Sequence, residues 1–315
     1  VRLLEQSGGV RWSVSPPSGP APLTVTFEAS NDAGGANYTW DFGDGNAGSG
    51  PKARYTYYRP GEYRARLEVR FPNGARSQGE IPIRAADAGP ERARMTVLVD
   101  TGTRIVFDAH ASVVYAPLTT ARWDFGDGTS AEGLVVRKIF APGQYAVRLE
   151  LSTPSGRLRQ TLPVRAGALS GDVAFEDETV RLTNDARARG FDCETKTFPA
   201  RGRALGPLRR DPRLDVAARA QSAAMALNNY FAHESALDGS KPAERATSSG
   251  YAWWNIAENI ASGQETPPSV VTAWLQSHAH CVNIMNPELT EIGVSYVLNA
   301  QNRPYWTQVF GKPRD

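Results

Sequence analysis

The six residues Trp40-Asp41-Phe42-Gly43-Asp44-Gly45 recur letter for letter as Trp123-Asp124-Phe125-Gly126-Asp127-Gly128, and no other feature constrains the fold of this chain as tightly. The offset of 83 persists around the hexapeptide with small drift. Pro60-Gly61-Glu62-Tyr63 answers Pro142-Gly143-Gln144-Tyr145, and Arg66-Leu67-Glu68-Val69 answers Arg148-Leu149-Glu150-Leu151, each 82 positions on; Phe27-Glu28-Ala29 answers Phe107-Asp108-Ala109 at 80. Such a period is too long for a solenoid and long enough for each copy to enclose its own core. Inside a copy, apolar and polar residues alternate in Leu23-Thr24-Val25-Thr26-Phe27 and Tyr63-Arg64-Ala65-Arg66-Leu67-Glu68-Val69, with turn signals such as Gly43-Asp44-Gly45, Pro60-Gly61 and Pro72-Asn73-Gly74 between the runs. Alternation at period two with frequent turns predicts two β-sandwiches of short strands.

These motifs resemble the PKD domain, an immunoglobulin-like module, over 12–86 and again over 89–166. The resemblance implies spacers or binders of polysaccharide or protein. Asp41, Asp44 and Asn46, with Asp124 and Asp127 in the second copy, put oxygen ligands beside glycines and could cradle Ca²⁺; the alternative is that each Asp bonds the N–H groups of its own turn. Tyr55, Tyr57 and Tyr58 could stack on sugar rings or pack in a sheet core.

The chain carries 35 basic and 33 acidic residues, a net charge of +2, which excludes nucleic-acid binding driven by bulk charge. No stretch reaches the roughly 18 apolar residues of a membrane helix, so no transmembrane segment is expected. The chain opens at Val1 without a cationic, apolar leader, which fits a processed or a cut chain, so localisation must come from other features. Only two cysteines occur, Cys193 and Cys281, and neither belongs to a CxxC pair. One disulfide and two buried thiols are both open.

After Ala166 the texture changes to helical spacing, and 167–173 is expected as a linker to a domain at 174–315. One helix runs through Glu178–Arg187; a second starts at Asp211-Pro212 and puts Leu214, Ala217, Ala218, Gln221, Ala224, Met225 and Asn228 on one face; a third starts at Thr266-Pro267-Pro268. Ile292–Val297 and Trp306–Phe310 read as paired strands, giving an α+β layered domain. Three of four histidines lie here, His233, His278 and His280, together with Glu258 between Ile256 and Ile260. Two imidazoles and a carboxylate are the ingredients of a zinc site or of acid–base chemistry.

Tyr230-Phe231-Ala232-His233, Ala257-Glu258-Asn259-Ile260-Ala261, Trp274-Leu275-Gln276-Ser277, His280 with Asn283-Ile284-Met285, and Tyr305-Trp306-Thr307-Gln308-Val309-Phe310-Gly311 resemble the bacterial branch of the CAP superfamily, the SCP-like domains, in the family's order. The resemblance implies a three-layer α-β-α sandwich, mostly secreted, with a large central cavity that in animal members is lined by two His and two Glu. His233 and Glu258 match the first His and the Glu of the Glu-Asn-Ile motif. The second family Glu falls on Ser277 and the second animal-type His on Tyr305, whereas His280 follows the bacterial pattern, with Glu291 as a lesser candidate. The resemblance thus implies a cluster of His233, Glu258 and His280, either catalytic or holding zinc or another divalent metal. Cys281 replaces an Arg common after that His, and a Cys193–Cys281 bridge would anchor the loop that follows the first helix and mark an oxidising compartment. Between Arg181 and Arg213 nine basic residues face four acidic ones, either a wall-polymer site or a solvated face.

The expectation is a protein secreted or held at the cell envelope, in which a CAP domain displayed by PKD modules binds a cell-wall glycan, a lipid, a peptide or an extracellular protein. A metal- or water-dependent hydrolase and a structural adhesin with a vestigial cavity are the alternatives. Against a hydrolase stands the absence of HExxH and GxSxG signatures.

Overall fold

The structure, a computed structural model, describes residues 2–6, 9–31, 34–200 and 202–314. The first repeat contains β1 (Arg2–Gln6), β2 (Val10–Ser15), β3 (Ser18–Pro20), β4 (Leu23–Asn31), β5 (Asn37–Asp41), β6 (Ala47–Ser49), β7 (Lys52–Tyr57), β8 (Gly61–Arg70) and β9 (Arg76–Ala86). They form two facing sheets, in the orders β1-β2-β4-β7 and β3-β9-β8-β5-β6. The second repeat contains β10 (Thr96–Val99), β11 (Arg104–Asp108), β12 (Thr120–Asp124), β13 (Ser130–Glu132), β14 (Val135–Ile139), β15 (Gly143–Thr153) and β16 (Gly156–Ala166), in sheets β10-β11-β14 and β13-β12-β15-β16.

The repeated hexapeptide explains itself in these sandwiches. Trp40 and Trp123 are fully buried, and their indole N–H groups donate to Gly50 and Gly133 carbonyls at 2.9 and 2.7 Å. Asp41 and Asp124 accept the N–H of Gly43 and Gly126 at 2.8 and 3.0 Å, and Asp44 and Asp127 accept the N–H of Asn46 and Thr129. Gly43 sits at φ +79°, where a Cβ would lie 2.5 Å from the Arg64 carbonyl oxygen, so both backbone conformation and space demand glycine. The carboxylates thus serve their own turns. In the second copy the cation beside Asp127 is the Lys138 ammonium, at 2.7 Å, which holds that carboxyl down to about 2. Tyr55 stacks on Phe42 at 4.0 Å and donates to Asp44, and Tyr57 is buried with its hydroxyl on the Phe42 carbonyl, so both are core residues of the sheet.

The C-terminal domain contains α1 (Val173–Arg189), β17 (Arg209–Arg210), α2 (Pro212–Asn228), α3 (Pro242–Ser248), β18 (Trp253–Ser262), α4 (Pro267–Gln276), α5 (His278–Ile284), β19 (Glu291–Leu298) and β20 (Pro304–Pro313). Asp172 caps α1 by accepting from Ala174 and Phe175 N–H, and Asp211 caps α2 ahead of its N1 proline. The segment expected as a linker is bonded at its start and in its middle: Gly167 N–H donates to Gly102 and Leu298 N–H to Ser170. One sheet of order β17-β19-β20-β18 divides the domain. On one face Leu214, Ala217 and Ala218 of α2 and Ala246 of α3 pack with Val309 and Ile256; on the other, α1, α4 and α5 pack Ala186, Trp274 and Ile284 against Ile292, Trp306 and Phe310. The result is a three-layer α-β-α sandwich. Strands β19 and β20, covered on both faces, read as continuous buried runs, as central strands must. At Gly293 α2 comes so close that a Cβ would lie 2.1 Å from the Leu214 carbonyl carbon.

Candidate functional site

Glu258 lies on β18, the edge strand of the sheet, and an edge is where side chains from both helical layers can converge. The strand's pairing with β20 sets Glu258 opposite Val309 and Asn259 opposite Gln308. Successive residues therefore face opposite layers: Ile256 and Ile260 pack toward α2, Ala257 and Ala261 toward α4 and α5. Glu258 shares the first face, and its carboxylate is 1% exposed. Burying a carboxylate demands partners for both oxygens. Oε1 lies 2.9 Å from His233 Nδ1, and Oε2 accepts from Arg245 Nη2 at 2.8 Å.

Arg245, on α3, is itself 1% exposed. Besides Glu258 its guanidinium donates to the carbonyls of Ser240 at 2.6 Å and His233 at 3.0 Å. It therefore fixes the carboxylate and the backbone of the histidine that the carboxylate holds. The preceding carbonyl, of Ala232, accepts from the Gln221 amide of α2. A carboxylate can only accept, so Nδ1 of His233 is the donor, and in the neutral ring the lone pair then lies on Nε2. That ring is 52% exposed, which makes Nε2 available to a ligand or to water.

His280 comes from the other layer, on the half-buried first turn of α5. Its pKa is pushed down, first by burial and then by the positive charge that His233 carries when protonated. The backbone under His280 is held by buried amides: Asn259 donates to the His280 carbonyl at 3.1 Å, and Asn283 donates to Asn259 Oδ1 at 2.9 Å and to the Glu258 carbonyl at 3.3 Å. That last bond takes the place of a neighbouring strand on the open edge. Cys281, the next residue, is bonded to Cys193 with Cα atoms 5.6 Å apart, tying α5 to the segment after α1.

With this geometry in hand, the comparison with known families decides what the layered domain is. Residues 180–310 match the cysteine-rich secretory protein family, CAP. They form a CAP domain. Residues 15–84 and 88–165 each match the PKD domain, so two PKD domains precede it. The chain is 40% identical over 137 residues to YkwD of Bacillus subtilis, covering 44% of this chain and 47% of YkwD. It is 33% identical over 150 residues to human polycystin-1, covering 45% of this chain and 3% of that protein. The chain thus spans about half the length of the first relative and a small part of the second. Among solved structures, an outer surface protein of Borrelia burgdorferi aligns at 23% identity with a TM-score of 0.36, over 44% of this chain and 94% of its own. An extracellular SCP-domain protein of Bacillus anthracis aligns at 16% with a TM-score of 0.37, over 99% and 88%.

The residues of the CAP domain as placed do not fit a zinc or other divalent metal centre. Both oxygens of Glu258 are engaged, one by a permanently charged Arg245, and among the described residues no group of three His, Cys, Asp or Glu side chains is arranged to hold a metal ion. Glu291 stands apart from the site: it accepts from the Tyr251 hydroxyl at 2.7 Å and pairs with Arg209. Ser277 precedes α5 without a side-chain capping bond, and the Tyr305 hydroxyl reaches Asn229 at 3.4 Å. His278 lies 3.6 Å from Glu194, on an exposed face. The arginines around Arg181–Arg213 are largely spoken for. Arg181 pairs with Glu178 and Asp185, Arg210 with Glu176, Asp177 and Asp215, Arg213 with Asp211, and buried Arg187 donates to the carbonyls of Ile284, Asn286 and Leu289. Arg245 and Gln221 are the site residues that the sequence did not point to. The start of α3 is nonetheless marked, by Pro242 at N1 and by Glu244, three residues after Lys241, accepting the Lys241 N–H.

Proposed function

We propose that His233, backed by Glu258 and Arg245 and neighboured by His280, is the ligand-contacting centre of an extracytoplasmic CAP protein, and that its ligand is a glycan or peptide of the cell envelope. The observation that carries this reading is the commitment of His233 Nδ1 to a buried carboxylate, which leaves Nε2 on a half-exposed ring as an acceptor for a hydroxyl or amide. Phe231, two residues before His233, is 55% exposed, and Trp254, at the start of the strand that carries Glu258, is 60% exposed. An exposed aromatic two residues from a polar centre suits sugar rings and peptide groups better than a lipid chain, which needs an enclosed apolar space. The disulfide, with no free cysteine among the described residues, supports an oxidising compartment, and no described helix is long and apolar enough to cross a membrane.

A second reading rests on the same dyad. A carboxylate-backed imidazole with a free lone pair can take a proton from water, which makes metal-independent hydrolysis of the bound ligand the alternative to binding alone. Titration of the full chain with soluble peptidoglycan fragments tests both. Binding that weakens at least tenfold in His233→Gln and Glu258→Gln, with the fold intact, supports the site. Chelator-insensitive release of fragments adds hydrolysis. Equal affinity in wild type and both variants overturns the site and leaves a structural display protein.

A further inference from the structure

Most of the second PKD domain shares one compact unit with the CAP domain, made of Arg94–Ala111, Thr120–Glu150 and Arg159–Asp315. Their junction is built around β10. In the first repeat the strand opposite Phe27 is β2, whose residues alternate between buried and solvent-facing. In the second repeat the strand opposite Phe107 is β10, and all four of its residues, Thr96 to Val99, are buried. One face of β10 covers the sandwich core, and α2 and α3 of the CAP domain lie against the strand.

The polar contacts at this junction converge on one short segment. Val97 N–H donates to Asp238 Oδ2 at 2.6 Å, and Asp238 Oδ1 accepts the Ser240 N–H at 2.9 Å. Arg94 grips Glu244 bidentately, Nη1 to Oε1 at 2.7 Å and Nη2 to Oε2 at 3.0 Å, and also donates to the Gly239 carbonyl at 3.2 Å. The next residue after Glu244 is Arg245. Its guanidinium bonds the Ser240 carbonyl on one side and the His233 carbonyl and Glu258 on the other. The segment from Ser235 to Arg245 therefore has the second PKD domain behind it and the His233–Glu258 pair in front.

From this we infer that Arg94, Asp238 and Glu244 are positioning residues for the candidate site, and that the second PKD domain is a structural part of that site rather than a spacer behind it. A bidentate guanidinium–carboxylate pair fixes orientation as well as distance, and partners one step removed from a functional group set its geometry. The inference rests on the reading of His233 and Glu258 as a ligand site, and its test separates the two.

The experiment uses the full chain as wild type, Arg94→Met, Arg94→Lys and Asp238→Asn. Backbone hydrogen exchange over 235–249 reports the segment, the hydrogen-bonded Nδ1–H proton of His233 reports the site, and titration with soluble peptidoglycan fragments reports binding. Arg94→Met should raise exchange across 235–249 by about tenfold and broaden the His233 Nδ1–H resonance, while exchange in β19 and β20 stays at the wild-type level. Arg94→Lys, which retains the charge but not the bidentate fork, should fall between the two, and Asp238→Asn should loosen the same segment. If Arg94→Met loosens the segment and the His233 resonance while Glu258→Gln binds fragments like wild type, the buttress stands and the ligand site falls. Wild-type exchange and an unaltered His233 resonance in Arg94→Met and Asp238→Asn overturn the buttress, whatever Glu258→Gln does to binding.

Discussion

His233 and Glu258 announce themselves in the sequence because a His after a helix end and a Glu between two isoleucines break the periodic pattern around them. Arg245 carries no such signal. It sits beside Ala246 in a seven-residue helix too short for periodicity, and its burial follows from tertiary contacts with Ser240, His233 and Glu258. His280 gives this scale its pH test. Burial, then the charge of His233, depresses its pKa below the usual 6.5, so the native state resists a proton that the unfolded chain accepts. The stability associated with neutral His280 is complete above 6.5 and is lost as pH falls through the depressed native value. His280→Gln should therefore flatten the decline in urea-unfolding free energy between 6.5 and that depressed value. A variant that declines as steeply as wild type would show that His280 does not contribute to that slope.

The elements most legible in the sequence were those with strong local signals: α2 with its Asp-Pro start, α4 with Thr266 and its prolines, and the apolar runs of β19 and β20. β18 was not legible, and of α3 only its start, at Pro242, is marked. β18 is an edge strand whose centre carries Glu258 and Asn259, and the amide of Asn283 supplies a bond to the Glu258 carbonyl where a neighbouring strand would. A pattern search for alternation has no hold on such a strand. α5, also seven residues long, depends on a covalent tie as well as on packing. With Cys193 and Cys281 88 positions apart, replacing both by Ser should lower unfolding free energy by about 4.6 kcal/mol in the chain-entropy model, read by denaturant titration. A loss below about 1 kcal/mol would place the anchoring of α5 in its buried Ile284 rather than in the bridge.

For the whole molecule, the repeat gave the two sandwiches, but comparing the copies reveals what the repeat alone hides. Ser15 of β2 pairs with Thr26, and Leu98 of β10 holds the matching place opposite Val106. Ser15 is exposed and Leu98 is 3% exposed, so the same strand position is a surface in one copy and a junction in the other. In the sequence, Met95-Thr96-Val97-Leu98-Val99 departs from alternation, but a run buried on both faces looks alike whether a helix of its own domain or of the next one covers it. Leu98→Ala should cost about 2–5 kcal/mol and lower the melting of the second PKD domain and the CAP domain together, whereas Ser15→Ala should stay within about 0.5 kcal/mol. A Leu98→Ala chain whose CAP domain melts as in wild type would contradict a shared unit.

A buried carboxylate, clamped by Arg245, dictates which nitrogen of His233 faces outward. Nitrogen-15 NMR of the His233 ring in the full chain at neutral pH reads this directly. The predicted spectrum shows the neutral ring protonated at Nδ1 with a bare Nε2, a preference abolished in Glu258→Gln. A wild-type ring protonated at Nε2, or one unchanged by Glu258→Gln, would contradict it.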